Sequence, residues 1–128
     1  MRLLLDTCTF LWLNGDIERL PRTVREACES RENDLYLSVV SVWEIAVKWA
    51  AGRLTLPDEP SVWVPSRREQ NGIASLAVTE EAAIQATKLP ALHKDPFDRM
   101  LVCQAISEGM ALVTPDPLIR QYPVLVIW

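Results

Sequence analysis

The sequence of 128 residues lacks the features that mark several classes of protein. Its three cysteines, Cys8, Cys28 and Cys103, are odd in number and form no CxxC pair, so neither a zinc motif nor a disulfide framework is supported. No apolar run approaches the roughly 18 residues that a membrane-spanning helix needs. The first residues lack the long apolar stretch and the cleavage site of a signal peptide. We therefore expect a reduced, cytoplasmic protein with no contact with a membrane.

Basic residues are also in the minority, with 13 Lys and Arg against 17 Asp and Glu, a formal net charge of −4. This balance argues against phosphate binding through a basic surface. It leaves open an enzyme whose acidic residues hold metal ions, because the metals then supply the positive charge. The hydrophobic share of 49% is ordinary for a globular chain, and the length predicts one domain over residues 1–128.

Short apolar runs alternate with segments of helical periodicity along the whole chain. This alternation predicts an α/β fold with a parallel sheet that is covered by helices on both faces. Strands are predicted at 2–5, 35–38, 73–78, 111–113 and 124–127. Helices are predicted at 7–13, from 21 onward, at about 42–51, at 61–70, after 79 and at 97–108.

Four acidic residues fall where such a sheet would bring them together. Asp6 directly follows the first strand, and Asp116 follows the strand at 111–113 by three residues. Glu44 lies near the start of a helix after the second strand, and Asp98 lies on the inward stripe of the helix at 97–108. Ligands of open α/β sheets bind beyond the carboxyl ends of the strands. Carboxylates gathered there are ligands for Mg²⁺ or Mn²⁺, and without a cation they would repel one another.

Most of these acids also have a purely structural interpretation. Glu44 with Ser41 forms a capping-box pattern, and Asp116 fits a turn between two prolines. Asp95 before a proline is expected to be the N-cap of the last long helix, where Asp98 would be favoured by the helix dipole. The acid after the first strand lacks such an explanation, because a charge that follows a buried strand needs a partner.

Four blocks of the sequence, in this order and spacing, resemble PIN-domain ribonucleases and most closely the VapC toxins of bacterial toxin–antitoxin pairs. The resemblance implies a PIN-like fold, a central parallel sheet flanked by helices with an acidic pocket at the carboxyl edge of the strands. It further implies a Mg²⁺- or Mn²⁺-dependent endoribonuclease that forms a homodimer, cuts RNA and is blocked by a cognate VapB-like antitoxin. The blocks are LLLDT at Leu3–Thr7, SVWEIAVK at Ser41–Lys48, HKDPFDRMLVCQA at His93–Ala105 and LVTPD at Leu112–Asp116.

The resemblance also assigns roles to single residues. Thr7, Arg99 and Thr114 are implied as secondary residues that border the pocket and contact the substrate. The implied metal ligands and catalytic acids are Asp6, Glu44, Asp98 and Asp116.

Two other interpretations of the acidic residues belong to different classes of protein. A haloacid-dehalogenase-type phosphatase would need a second aspartate two residues after Asp6, where Cys8 stands. A receiver-like binding module would need paired acids near the first strand and a lysine after a late strand.

Cys8 is not expected to be a nucleophile, because no histidine lies near it in sequence. The single histidine, His93, is interpreted as a loop or surface residue.

Overall fold

A computed structural model describes residues 1–128. The five strands are β1 (Arg2–Leu5), β2 (Asp34–Ser38), β3 (Ile73–Leu76), β4 (Ala111–Val113) and β5 (Val126–Ile127). The helices are α1 (Thr7–Leu13), α2 (Arg22–Glu29), α3 (Val39–Ala50), α4 (Pro60–Gln70), α5 (Glu80–Ala86) and α6 (Pro96–Glu108). Two 3₁₀ turns lie at Ile17–Arg19 and Ile119–Gln121. No helix has the length and apolarity required to cross a membrane.

All five strands lie in one parallel sheet in the order β3-β2-β1-β4-β5. β1 is central, and Leu5 at its end pairs with Leu37 of β2 on one side and with Val113 of β4 on the other. The carboxyl ends of these three strands are therefore level. Residues that directly follow them share one edge of the sheet.

Helices cover both faces of the sheet, as the sequence predicts. Leu3 and Leu5 point to one face and pack in a cluster that includes Phe10 of α1. Leu4 points to the other face and packs with Leu101 of α6. All three leucines of β1 are fully buried, and the alternation of their side chains explains why an unbroken apolar run suits a strand covered on both sides.

The observed start of α3 differs from the predicted one, and this difference affects Glu44. The sequence places the start of α3 at about Val42, but the helix begins at Val39 because the Ser38 hydroxyl accepts a hydrogen bond from the Val40 amide. Ser41 therefore lies inside the helix with its buried hydroxyl unpartnered, and the capping box with Glu44 does not form. β5 is also shorter than predicted, since only Val126–Ile127 pair with β4.

Candidate metal centre

One pocket of about 200 Å³ brings the four predicted acids together at the carboxyl edge of the sheet. Asp95 adds a fifth carboxylate to its wall, and Lys48 is the one basic residue there. The complete lining is Asp6, Thr7, Cys8, Glu44, Lys48, Asp95, Asp98, Pro115 and Asp116.

Asp6 is a buried acid of the pocket, with 5% of its surface exposed. It is the N-cap of α1, and its Oδ1 accepts a hydrogen bond of 2.8 Å from the Thr9 amide. Burial raises the pKa of its carboxyl group, while hydrogen bonds from Thr114 and Thr9 oppose that rise. No lysine, arginine or histidine forms a salt bridge with Asp6. The fold therefore buries a carboxylate without a cation.

Glu44 is as buried as Asp6, at 5% exposed, and extends from α3 into the same pocket. Its Oε1 accepts a hydrogen bond of 2.6 Å from the Thr7 hydroxyl. Its Oε2 lies 2.5 Å from Nζ of Lys48, one helical turn further along α3. Lys48 was not predicted as part of the site, although its position four residues after Glu44 is the usual spacing of a helical ion pair.

Asp98 lies in the first turn of α6, and its side chain is 20% exposed. Burial, together with the negative charges of Asp95, Asp6 and Glu44, raises the pKa of its carboxyl group to about 7. The predicted inward orientation of this acid is confirmed. The pocket thus disfavours the charged form that a metal ligand needs, unless a cation is bound.

Asp95 has the capping role that the sequence predicts. Its Oδ1 accepts a hydrogen bond of 2.9 Å from the Phe97 amide at the start of α6. The two acids that are three residues apart therefore differ in their local contacts, although both line the pocket.

His93 lies in the loop before α6, as predicted, but it is not a surface residue. The residue is 9% exposed, and its Nε2 lies 2.7 Å from Oδ2 of Asp116 and 3.2 Å from Oδ2 of Asp98. Ligand-type atoms of these three residues all lie within 4.8 Å of one another. Asp116 also accepts a hydrogen bond of 2.9 Å from the Leu118 amide, so it is both a turn residue and a pocket acid. The sequence offered no spacing rule that would place a loop histidine between these acids.

Two of the three residues that the resemblance assigns to substrate contact, Arg99 and Thr114, are not part of the pocket lining. The guanidinium group of Arg99 donates hydrogen bonds to main-chain carbonyl oxygens of residues 86, 89, 90 and 93 rather than facing the pocket. Thr114 is fully buried, and its hydroxyl accepts a hydrogen bond of 3.2 Å from the Asp116 amide. Thr7 does line the pocket, where its hydroxyl binds Glu44.

The Cys8 thiol lines the pocket without the environment of a nucleophile. Burial and the negative charge of Asp6 raise the pKa of this thiol, so it stays protonated near neutral pH. Its Sγ lies 3.3 Å from Oδ1 of Asp6, to which it donates a weak hydrogen bond. Cys8 therefore supports the neighbouring acid and offers no thiolate.

The donor set fits a hard divalent cation. Asp6 is buried with no cationic partner, and the pKa of Asp98 is raised by burial and by its acidic neighbours. Carboxylate oxygens are the ligands that Mg²⁺ and Mn²⁺ prefer, and a bound cation would compensate the charge of both acids. Asp6 and Asp98 could hold such an ion, and Glu44 and Asp116 line the same pocket and could supply further carboxylate ligands.

Known proteins are similar to this chain in fold and in part of the sequence. Residues 3–125 match the PIN domain family. The chain is 28% identical over 120 residues to Ribonuclease VapC22 of Mycobacterium tuberculosis, which covers 93% of this chain and 90% of that protein. VapBC2 from Rickettsia felis, solved bound to a DNA fragment from its promoter, superposes with a TM-score of 0.75 at 13% identity, covering 99% of this chain and 98% of that one. DNA-bound VapBC from Salmonella typhimurium gives a TM-score of 0.73 at 19% identity, with 99% and 97% covered.

Proposed function

This chain belongs to the PIN domain family, and we propose that it is a metal-dependent endoribonuclease that acts as the toxin of a bacterial toxin–antitoxin pair. The observation that carries the proposal is the burial of Asp6 without a cation, in a pocket shared with four further acids. The similarity to a protein named as a ribonuclease supports RNA as the substrate. Residues 1–128 would form a single nuclease domain, since all five strands belong to one sheet.

Four of the five pocket acids, Asp6, Glu44, Asp98 and Asp116, are the proposed catalytic residues and ligands of Mg²⁺ or Mn²⁺. Asp6 and Asp98 would hold the ion first, because burial of Asp6 and partial burial of Asp98 disfavour their charged forms unless a cation is bound. Glu44 and Asp116 would complete the set from α3 and from the turn after β4. When bound, such an ion activates a water molecule for attack on phosphorus and neutralises charge on the phosphate.

The residues around these acids orient them and balance charge. Thr7 and Lys48 each bind one oxygen of Glu44 and so hold its carboxylate toward the pocket. The Thr9 amide holds Asp6 in the same way. Lys48 is 39% exposed in its side chain, so its ammonium group can also contact a phosphate of the RNA backbone at the pocket mouth.

The partners that we propose follow from the structures with a similar fold, which were solved as complexes of a VapC-type toxin with its antitoxin. We propose that this chain forms a homodimer and that a VapB-like antitoxin inserts an arginine or lysine among the carboxylates. A cationic side chain would satisfy Asp6 and Asp98 as a metal ion does, and would exclude the metal from the pocket. An antitoxin with its basic residues neutralised should inhibit less well than the intact one. Equal inhibition by both would contradict this mechanism.

The nuclease proposal is tested by incubating the purified protein with single-stranded RNA and Mn²⁺ or Mg²⁺. We expect cleavage that stops on addition of chelator and is absent in Asp6→Asn. The matched control is Asp34→Asn, which changes an exposed acid at the opposite edge of the sheet and should cut RNA at the wild-type rate. Cleavage that survives chelation, or that Asp6→Asn retains, would overturn the proposal. Release of phosphate from a phosphomonoester without RNA cleavage would instead identify a phosphatase.

A further inference from the structure

His93 is the only histidine of the chain, and it lies where two of the proposed metal ligands meet. Its Nε2 is within hydrogen-bonding distance of Oδ2 of Asp116, at 2.7 Å, and of Oδ2 of Asp98, at 3.2 Å. A histidine beside two carboxylates can either join them as a third ligand or hold them in place from behind. The contacts of the other ring nitrogen distinguish these roles.

Nδ1 of His93 accepts a hydrogen bond of 3.1 Å from the Asp95 amide. A main-chain amide is always a donor, so Nδ1 carries no proton in this arrangement. The one proton of the neutral imidazole is therefore on Nε2, where it is donated to Oδ2 of Asp116, with Oδ2 of Asp98 3.2 Å from the same nitrogen. A ring nitrogen that carries this proton has no lone pair to offer a metal ion.

The loop that carries His93 is held by two residues from other parts of the chain. The Tyr122 hydroxyl accepts a hydrogen bond of 2.9 Å from the His93 amide and donates one of 2.8 Å to the Pro90 carbonyl oxygen. The Arg99 guanidinium group binds the carbonyl oxygens of Pro90 and His93, at 3.0 and 3.2 Å. These bonds set the position of the imidazole independently of the two acids. The imidazole ring can therefore hold Asp98 and Asp116 in position.

We propose that His93 is a positioning residue, which as an Nε2-protonated imidazole fixes Asp98 and Asp116 relative to each other without binding the metal ion. The inference rests on the proposed function for the role of these acids, but the state of the ring can be observed without activity. Arg99 and Tyr122 then act on the site through the loop. This accounts for an arginine beside Asp98 that faces away from the pocket.

The first test is a nitrogen-15 NMR spectrum of the metal-free protein at pH 8, labelled at histidine. A single histidine gives a single set of ring signals, so the assignment is unambiguous. We expect the proton on Nε2 and a bare Nδ1, and we expect the same tautomer after addition of Mg²⁺. A proton on Nδ1, or loss of the Nε2 proton on addition of Mg²⁺, would overturn the proposal.

The second test compares the Mn²⁺ affinity of the protein and its variants by calorimetry. His93→Leu removes the donor and should weaken binding by about 10- to 100-fold, the usual cost of losing a residue that orients a ligand. His93→Gln keeps an N–H donor on a side chain of similar reach and should recover part of that loss. Tyr122→Phe keeps the imidazole of His93 but removes the two hydrogen bonds that hold its loop. This variant should weaken Mn²⁺ binding less than His93→Leu. Thermal melts verify that each variant is folded.

The outcomes separate this proposal from the proposed function. Wild-type Mn²⁺ affinity in folded His93→Leu would overturn the positioning role, whatever the protein cuts. Equal Mn²⁺ affinity of His93→Gln and His93→Leu would also contradict the positioning role. It would show that the hydrogen-bond donor of His93 does not matter and that the side chain only fills space. If the wild-type protein binds Mn²⁺ but leaves RNA intact, the ribonuclease proposal fails while the NMR result and the affinity series still decide the role of His93.

Discussion

The Thr7 hydroxyl donates a hydrogen bond of 2.6 Å to Oε1 of Glu44, and this bond joins the first turn of α1 to α3 inside the pocket. Both residues are buried, at 7% and 5% exposed. The hydroxyl is the one uncharged side-chain donor to this carboxylate, whose other oxygen binds Lys48. The contact therefore links two of the sequence blocks that identify the family.

Replacing Thr7 with valine should expose the importance of this bond. Thr7→Val keeps the shape of the side chain but leaves a buried carboxylate oxygen without its donor, which should lower the free energy of unfolding by about 1–3 kcal/mol. Thr7→Ser keeps the hydroxyl and should lose less. Urea unfolding of the metal-free proteins measures both. Equal stability of wild type and Thr7→Val would show that water replaces the hydroxyl at no cost.

Divalent metal should stabilise the fold, because its positive charge compensates the buried carboxylate of Asp6 and the repulsion between Asp98 and its acidic neighbours. Free metal at 100 times its dissociation constant should add about 2.7 kcal/mol if only the native state binds it. Thermal melts with and without Mg²⁺ or Mn²⁺ measure the effect. Asp34→Asn should respond like the wild type, and Asp6→Asn should respond weakly. A melting temperature that millimolar metal leaves unchanged would contradict the site.

Two acids at the start of α6 that are three residues apart should behave in opposite ways. Asp95→Asn should keep RNA cleavage, because asparagine caps a helix about as well as aspartate, and Asp95→Ala should cost about 1 kcal/mol of stability. Asp98→Asn should abolish cleavage while the metal-free protein holds or gains stability, since a charged ligand is lost and repulsion is relieved. Cleavage rates and metal-free melts of the three variants measure this contrast. Near-normal cleavage by Asp98→Asn, or loss of cleavage in Asp95→Asn, would show that Asp98 is wrongly assigned as a metal ligand.

The raised pKa of Asp98 predicts how metal-free stability changes with pH. In the native state this pKa is about 7, whereas in the unfolded chain it is near its ordinary value of 3.8. Between these values the native state holds the proton and the unfolded state has lost it. Stability from this residue is therefore complete below about pH 4 and is lost as the pH rises through 7.

The difference in stability between wild type and Asp98→Asn isolates that effect, since other titrating groups largely cancel. The asparagine of this variant resembles the protonated acid, so the stability advantage of Asp98→Asn should be smallest near pH 4 and largest above pH 7. Thermal melts of both metal-free proteins at several pH values between these limits measure it. An advantage that stays constant over this range would show that the pKa of Asp98 is not raised.

The parts of the site that the sequence predicts are those set by regular secondary structure. Asp6 follows a short apolar run that is compatible with a strand buried on both faces, and Asp98 shares the inward stripe of a long helix with Leu101. Periodicity places such residues without knowledge of the rest of the chain.

The parts that the sequence could not predict depend on contacts between distant segments. The path of the loop before α6 is decided by Tyr122, which lies 29 residues after His93 and has no spacing relation to it. Arg99 belongs to that same network, and its bonds to the carbonyl oxygens of Pro90 and His93 have no signal in the sequence. At Glu44 two local signals competed, and Ser38 capped the helix in place of Ser41 because it directly ends the buried strand β2.

The pairing of β1 with β4 has a consequence for the order in which the protein comes into being. Leu4 pairs with Leu112, so the two strands that carry Asp6 and Asp116 to one edge come from opposite ends of the chain. At a synthesis rate of about 5–20 residues per second, Asp6 and Glu44 emerge seconds before Asp116 has been translated. The proposed metal site therefore stays incomplete during synthesis until β4 has paired with β1.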